Sequence, residues 1–470
     1  MLLDNAIKDF LSTTYLRPLR DAETELSSGK NSRLSQILNS SKEITNEESI
    51  NYILQLIAEA NKKLLAEGRA INTTAKVIEE KYLHKLIFTE DVNILSAIID
   101  IAGVKDIDNL TELKKRRHLR TVLEGLNLSL TESHHKQGLG YNNLLFIAAE
   151  LLLLEQEQNE EFPLLLIEEP EAHLHPQLQM RLLEFIKSKS IEGEQRIIQN
   201  IITTHSPNIS SKVDPQNLIM MNKGLAFPLR KGETKLEDDN YRFLYKFLDA
   251  TKANLFFARG VILVEGYAES ILIPTIAKLI GKKLEDYGVS IINVGNTGWY
   301  HFAKIFLTHN QKYNPVKISI LRDIDLWPAC AEKKDGNKYG FKERLNGNKQ
   351  YWEDTTNKMS KIETLQKGLN EQNVSIYISD HWTLEYCLAF YGLFDECYEA
   401  LGKDLIELKK FDGVDKEGKA TYIQREVENT KANFAMQLSL LIEEKYKDRI
   451  DDFIKKIPPY IKSAIEHVTV

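Results

Sequence analysis

The chain is poor in cysteine. Its 470 residues hold three, Cys330, Cys387 and Cys397, and no two stand in a CxxC pair. That gives no basis for a disulfide framework or a cysteine zinc site, and it fits a reducing cytosol. An excess of positive charge is also missing: the formal net charge is −7 and the pI about 6.0. Blanket basic binding of nucleic acid is therefore excluded, and any such contact must be local or metal-mediated. There is no long apolar run. The longest, Leu144 to Leu154, is interrupted by Glu150 and is too short to cross a bilayer. The start, MLLDNAIKDF, lacks the charged and apolar regions of a signal peptide, so a cytoplasmic location and no membrane partner are expected. Residues 1–163 also lack a glycine-rich turn followed by lysine and Ser or Thr, the device that cradles nucleotide phosphates. One near-match, Gly413 to Ala420, has alanine where the hydroxyl is needed and follows a lysine-rich segment rather than a buried strand.

What is present is 43% hydrophobic and long enough for two or three domains. The most informative run is LLLIEEPEAHLHP, Leu164 to Pro176. Leu164 to Ile167 reads as a strand buried on both faces, as in a parallel sheet. Adjacent carboxylates at its end, Glu168 and Glu169, are costly unless they hold a metal or move protons. A second strand-like run, Ile197 to Thr204, ends in His205-Ser206-Pro207. His173 and His175 read as loop residues, since no third metal ligand is near.

Upstream, the spacing of Ile50, Ile53, Leu54 and Ile57 predicts a helical region over about 42–105. His118 to Leu130 alternates like a strand, and a glycine turn, Gly138-Leu139-Gly140, leads into a long apolar helix. The polar stretch from Gly224 to Tyr241 suggests a domain junction near 225–255. Beyond it Val261–Val264, Val289–Val294 and Lys317–Leu321 read as strands, residues 331–350 as a mobile loop, and the remainder as mainly helix. Strands alternating with helices imply an α/β fold with parallel pairing.

The second half carries its own acids. Glu265 ends a buried strand in ILVEGYAES, and Glu269 lies one helical turn on, so both can face one site. Asp323 and Asp325 end another apolar strand in ISILRDIDLW and share a side by strand periodicity. Carboxyl ends of parallel strands are where α/β sheets place their sites. Phosphodiester cleavage needs phosphate charge neutralised and a hydroxide-like nucleophile, and oxygen ligands suit magnesium or manganese for that. The basic runs Lys114–Arg117 and Lys333–Lys334 are read as solvated faces, with DNA phosphate contact as the alternative. His301, His309 and His381 show no metal-ligand spacing.

The IEEPEAHLHP and THSP segments resemble the Walker B and switch-histidine segments of ABC-type ATPase heads, in their SMC/RecF-like branch. The ordered set VEGxxE, NVG, RDID and TLEY resembles a TOPRIM domain, and the two halves together resemble the OLD (overcoming lysogenization defect) nucleases, including the nuclease subunit of Gabija anti-phage systems. The resemblance implies a partial ATPase head over 1–250 with the helical insertion, then a Rossmann-like TOPRIM nuclease domain over 251–470 with helical additions. It implies Glu169 as the acid that positions water, Glu168 on the magnesium side, His205 as γ-phosphate sensor, and Gly138 and Gly140 in the place of the signature loop, without its usual serine. It implies Glu265, Glu269, Asp323, Asp325 and Glu385 as metal ligands, Glu265 also as base, and Lys431 as the stabiliser of transition-state charge. ATP would bind only with a P-loop from outside these residues, since the family's P-loop segment would precede Met1. DNA is the expected partner, with at least a homodimer, or a higher homo-oligomer, because each signature loop completes the other subunit's site. The competing expectation is a regulatory subunit, silent until it joins a chain carrying the P-loop or a helicase.

Overall fold

A computed structural model describes residues 11–16, 27–30, 32–66, 69–80, 99–104, 107, 109–128, 139–156, 162–188, 198–309, 313–328, 355–427 and 430–470. The chain divides into two compact units, Met1–His205 and Ser206–Val470.

In the first unit β1 (Leu11–Leu16), β2 (Phe162–Glu168) and β3 (Gln199–Thr203) form a parallel sheet in the order β1-β2-β3. Glu168 at the end of β2 is in register with Thr203. The longer helices are α1 (Arg33–Ser40), α2 (Glu47–Leu64), α3 (Ala70–Ile78), α4 (Glu112–Glu124), α5 (Leu139–Gln156) and α6 (Pro176–Ser188). Leu165 and Ile167 of β2 pack with Phe146, Ile147 and Leu151 of α5 and with Leu182 and Ile186 of α6. Glu150, which interrupts the apolar run of α5, is buried and pairs with Arg33 at 2.6 Å. A separate small core joins Ile50 and Leu54 of α2 to Val104 and to Leu119 and Leu123 of α4. Asn61 clasps the 101–104 turn by donating to the carbonyls of Ile101 and Val104 and accepting from the Ile101 amide.

That core corrects the strand expected over His118–Leu130. The segment is helix to Glu124, because Leu119 and Leu123 stand four residues apart and bury one helical stripe. The helical region therefore continues past residue 105.

Near its start the second unit has a hairpin, β4 (Ile219–Asn222) and β5 (Leu225–Pro228), turning at Lys223 and Gly224, both with positive φ as a type I′ turn requires. α7 (Asp238–Phe247) follows. The main sheet is parallel, in the order β7-β6-β8-β9: β6 (Gly260–Val264), β7 (Val289–Asn293), β8 (Lys317–Arg322) and β9 (Val374–Ile378). Every residue of β6 is buried, as a central strand covered on both faces demands. Val261 and Leu263 face one layer with Phe302 and Phe306. Ile262 and Val264 face the other, built from α8 (Tyr267–Leu279), α10 (Leu384–Leu388), α11 (Phe394–Ala400), α12 (Lys416–Val427), α13 (Lys431–Tyr446) and α14 (Pro459–Val468). α9 (Gly295–Lys304) lies on the first of these faces.

Two differences from the sequence expectation stand out. The unit boundary at 205/206 lies before the junction placed near 225–255, because Met220, Phe227, Leu229, Leu236 and Tyr241 bury themselves in the same core as Val261 and Leu263. The charged residues between them hid these apolar anchors. β9 lies in the stretch read as mainly helix. Its Val374 and Ile376 are buried on the edge of the sheet beside β8. The loop expected at 331–350 lies outside the described residues, as does the Lys333–Lys334 run.

Candidate active site

After β6 the chain lays β7 on one side, then crosses to lay β8 on the other. The carboxyl ends of β6 and β8 are thus the topological switch point, where an open parallel sheet leaves a crevice. Glu265 follows β6 and Asp323 follows β8, and Asp323 N donates to Glu265 Oε1 at 3.4 Å. Glu269 lies in the first turn of α8. A Cβ at Gly266 would come within 3.1 Å of Glu269 Oε2, so the glycine leaves room for the folded-back carboxylate.

Beyond Asp323 the strand ends. Ile324 N donates to Ser379 Oγ at 2.9 Å and Asp325 N to the Trp382 carbonyl at 3.1 Å, and Asp325 adopts φ 55°. Such a left-handed aspartate is strained, and strain of this kind concentrates at functional sites. Asp325 is the most exposed of the five acids. Glu385, in the first turn of α10, is buried. Both its oxygens lie 3.2 Å from Lys431 Nζ at the start of α13.

Electrostatics bind the group together. Burial pushes Glu265 up to about 7, with Asp325 and Glu269 adding to the rise and Arg322 opposing it. Asp323 is pushed well above the usual carboxylate range by burial and by the charges of Glu269, Glu265, Glu385 and Asp325. Glu269 is raised by burial and by Glu385. Burial raises Asp325 too, against Arg322, Lys361 and Lys431. Burial pulls Lys431 down, but Glu385, Asp323 and Glu269 outweigh it and hold the ammonium above its ordinary value.

Three residues here escaped the sequence reading. Arg322, the last residue of β8, pairs with Glu265 at 2.5 Å and lies 4.9 Å from the Trp299 ring centre on α9. Tyr460 of α14 lines one cavity with Glu269, Arg322 and Asp323. Arg322 had a local signal, as the residue before Asp-x-Asp. Trp299 and Tyr460 had none, because packing of distant helices brings them in.

The first unit has its own strand-end group. Glu169 follows β2 with φ 44°, donates its amide to the Thr203 carbonyl at 2.9 Å, and lies 3.6 Å from His205 Nε2. Glu171, not singled out from the sequence, accepts from Thr204 Oγ1 at 2.8 Å and from His205 N at 2.7 Å, which ties the two strand ends together. Glu168 caps β2 and is half-buried. Gly138 lies outside the described residues. Gly140 is buried in the first turn of α5, and a Cβ there would come within 2.5 Å of the His173 carbonyl. Its visible role is close packing against the loop after β2. Gly413–Ala420 forms the approach to α12, where Asp415 accepts from Gly418 N at 2.7 Å, so a carboxylate takes the position a phosphate would need.

Comparison with known proteins follows this division. A family described as AAA ATPase domain matches residues 4–210, and one described as overcoming lysogenization defect protein-like, TOPRIM domain, matches residues 256–325. The chain thus carries a segment that matches an AAA ATPase domain followed by one that matches an OLD-like TOPRIM domain. Among curated relatives it is 24% identical to endonuclease GajA of Bacillus cereus (strain HuB5-5) over 484 aligned positions, covering 90% of this chain and 67% of GajA. It is 29% identical to the retron Ec83 probable ATPase of Escherichia coli, covering 36% of this chain and 33% of that protein. A solved C-terminal region of the Xanthomonas campestris pv. campestris OLD protein aligns at 20% identity and TM-score 0.29, over 46% of this chain and 94% of that one. The chain thus spans about two thirds of the GajA length and a third of the retron ATPase.

The TOPRIM domain's donors suit a hard divalent cation: five carboxylates, several raising one another, against Arg322 and Lys431. Among the described residues no three His, Cys, Asp or Glu side chains converge closely enough to hold an ion. In this structure Glu265 pairs with Arg322 and Glu385 with Lys431. By chemistry the donor set, five carboxylates with hard oxygen ligands, fits such an ion.

Among the described residues no helix is long and apolar enough to cross a membrane.

Proposed function

We propose that this chain is a metal-dependent DNA endonuclease of the OLD type, governed by its ATPase module and serving defence against phage. The observation that carries the reading is the buried Asp323 at the end of β8, raised by the charges of Glu269, Glu265, Glu385 and Asp325, with Lys431 paired to Glu385 beside it. Mutual repulsion among buried carboxylates is tolerated where a cation or a proton relieves it. Bound magnesium or manganese would neutralise the scissile phosphate and acidify an attacking water. Glu265, at about 7, is poised to take the water's proton near neutral pH. Lys431, held protonated by its acidic neighbours, offsets charge that builds on the phosphate. In the ATPase domain Glu169, Glu168 and His205 would serve nucleotide hydrolysis, with Gly138 and Gly140 near the partner's nucleotide in a homodimer and the phosphate-cradling loop supplied from outside these residues.

The test is plasmid cleavage in magnesium and then manganese, with and without ATP. Asp323→Ala is expected to lower metal-dependent cutting at least ~100-fold, the scale on which removing one electrostatic catalytic group acts. Parent-level cutting by the variant would sink the site assignment. If the parent cuts in neither metal, the chain is better read as a regulatory subunit that awaits a helicase-like or P-loop-bearing partner.

A further inference from the structure

The crevice explains how a phosphodiester would be cut but not how DNA is held. Its carboxylates repel phosphate, and the whole chain carries a net charge of −7. Attraction must come from a local surface.

We propose that the outer face of α4 docks the phosphate backbone of duplex DNA, an inference that rests on the DNA-directed function above. The helix, ELKKRRHLRTVLE, holds Lys114, Lys115, Arg116, Arg117 and Arg120 against only Glu112 and Glu124. Its orientation is fixed: Leu119 and Leu123 are buried on α2, and His118 Nδ1 lies 2.8 Å from the Ala102 carbonyl. Lys114, Arg116, Arg117 and Arg120 are exposed; by helical spacing Lys114 and Arg117 lie away from the Leu119–Leu123 stripe, and Arg116 and Arg120 flank it. The acids neutralise only part of this charge, with Glu112 pairing with Lys115 at 3.4 Å and Glu124 with Arg120 at 3.2 Å. Among the described residues Lys114, Arg116 and Arg117 have no acidic partner.

This arrangement works against the helix itself. Cations crowd its N-terminal half, where the helix dipole favours anions, and none occupies the last turn, where they would help. Lys114 and Arg117 are three apart and Arg116 and Arg120 four apart, spacings at which like charges repel. A feature that costs local stability without a local gain points to a ligand. From Lys114 to Arg120 the helix rises about 9 Å, a length over which a duplex presents about five phosphates. Phosphate contact of this kind holds DNA without reading sequence.

The experiment measures binding of a labelled DNA duplex by fluorescence anisotropy without divalent metal, across about 50–200 mM salt. The parent is compared with Lys114→Gln/Arg116→Gln/Arg117→Gln and with Arg117→Gln alone. Glutamine keeps helix propensity, and far-UV circular dichroism checks the fold. Loss of three phosphate contacts is expected to flatten the slope of log affinity against log salt by about 2.7, and the single variant by about 0.9. The control Lys409→Gln/Lys416→Gln, on exposed lysines of the other unit, is expected to keep the parent slope. Unchanged slopes in the α4 variants overturn the inference, and leave the nuclease reading intact if the parent cuts plasmid. A parent that neither binds nor cuts DNA overturns both.

Discussion

A carboxylate among carboxylates is stable only as an acid or beside a cation. Asp323 is the clearest instance, raised by burial and by four neighbouring acids. Folding therefore favours its protonated form, and the sign of the pH dependence follows. Stability that this proton supplies is fully present below the unfolded value, near 4, and is lost as pH rises through the folded value. Glu265 follows the same rule, with its loss centred at about 7. Asp323→Asn replaces the charge with a neutral group of similar shape. It is expected to stabilise the metal-free chain at pH 8 by about 1–3 kcal/mol and to give little at pH 4, as read from urea midpoints. A gain of equal size at both pH values would show that charge repulsion is not the cause. The same variant should lose cutting, so stability and activity move in opposite directions at this residue. Arg322 and Lys431 mark the other side of the balance: each holds one acid, and neither is positioned to neutralise Asp323 fully.

At the scale of elements, the strands that carry the acids were legible because local chemistry settles them. β2 and β6 carry apolar runs, Leu164–Ile167 and Val261–Val264, followed by acids, and β8 holds Ile318, Ile320 and Leu321 ahead of Asp323; in β6 every residue is buried, as a central strand covered on both faces demands. α4 and β9 were not legible. In α4 the alternation of Leu119 with polar neighbours mimics a strand, and only packing on α2 reveals the four-residue period. In β9 two buried residues, Val374 and Ile376, give too short a pattern to stand out within a helical region. The crevice acids were legible one by one, but their joining by Arg322, Trp299 and Tyr460 depends on tertiary contacts. Gly140 shows the same limit. Its place in a glycine turn suggested nucleotide contact, while the structure gives it close approach to the His173 carbonyl. Gly140→Ala is expected to cost about 1–3 kcal/mol, since rigid backbone rather than a movable side chain meets the new methyl. Chemical denaturation of the variant checks this, and a loss below about 0.5 kcal/mol would show that the loop yields.

At the scale of the whole molecule, two units with separate cores predict separate responses. The cores around Leu54 and around Leu165 belong to the first unit, and those around Ile262 and Val261 to the second. A chain built this way need not unfold in one step. Leu54→Ala, at a fully buried position of α2, removes contacts from the small helical core and is expected to cost about 2–5 kcal/mol there. Calorimetry should record that loss in one transition only. Under the proposed function manganese would act on the other unit, because the carboxylates proposed to bind it all follow β6, β8 or β9. At about a hundredfold excess over its dissociation constant it adds about 2.7 kcal/mol to whichever unit binds it. That transition should rise by several degrees, at about 2–4 °C per kcal/mol for a unit of this size. Asp323→Ala should erase the manganese shift while leaving the Leu54→Ala effect untouched. A single transition that responds to both perturbations would mean the two cores melt as one. Manganese shifts that survive in Asp323→Ala would place the ion away from the crevice.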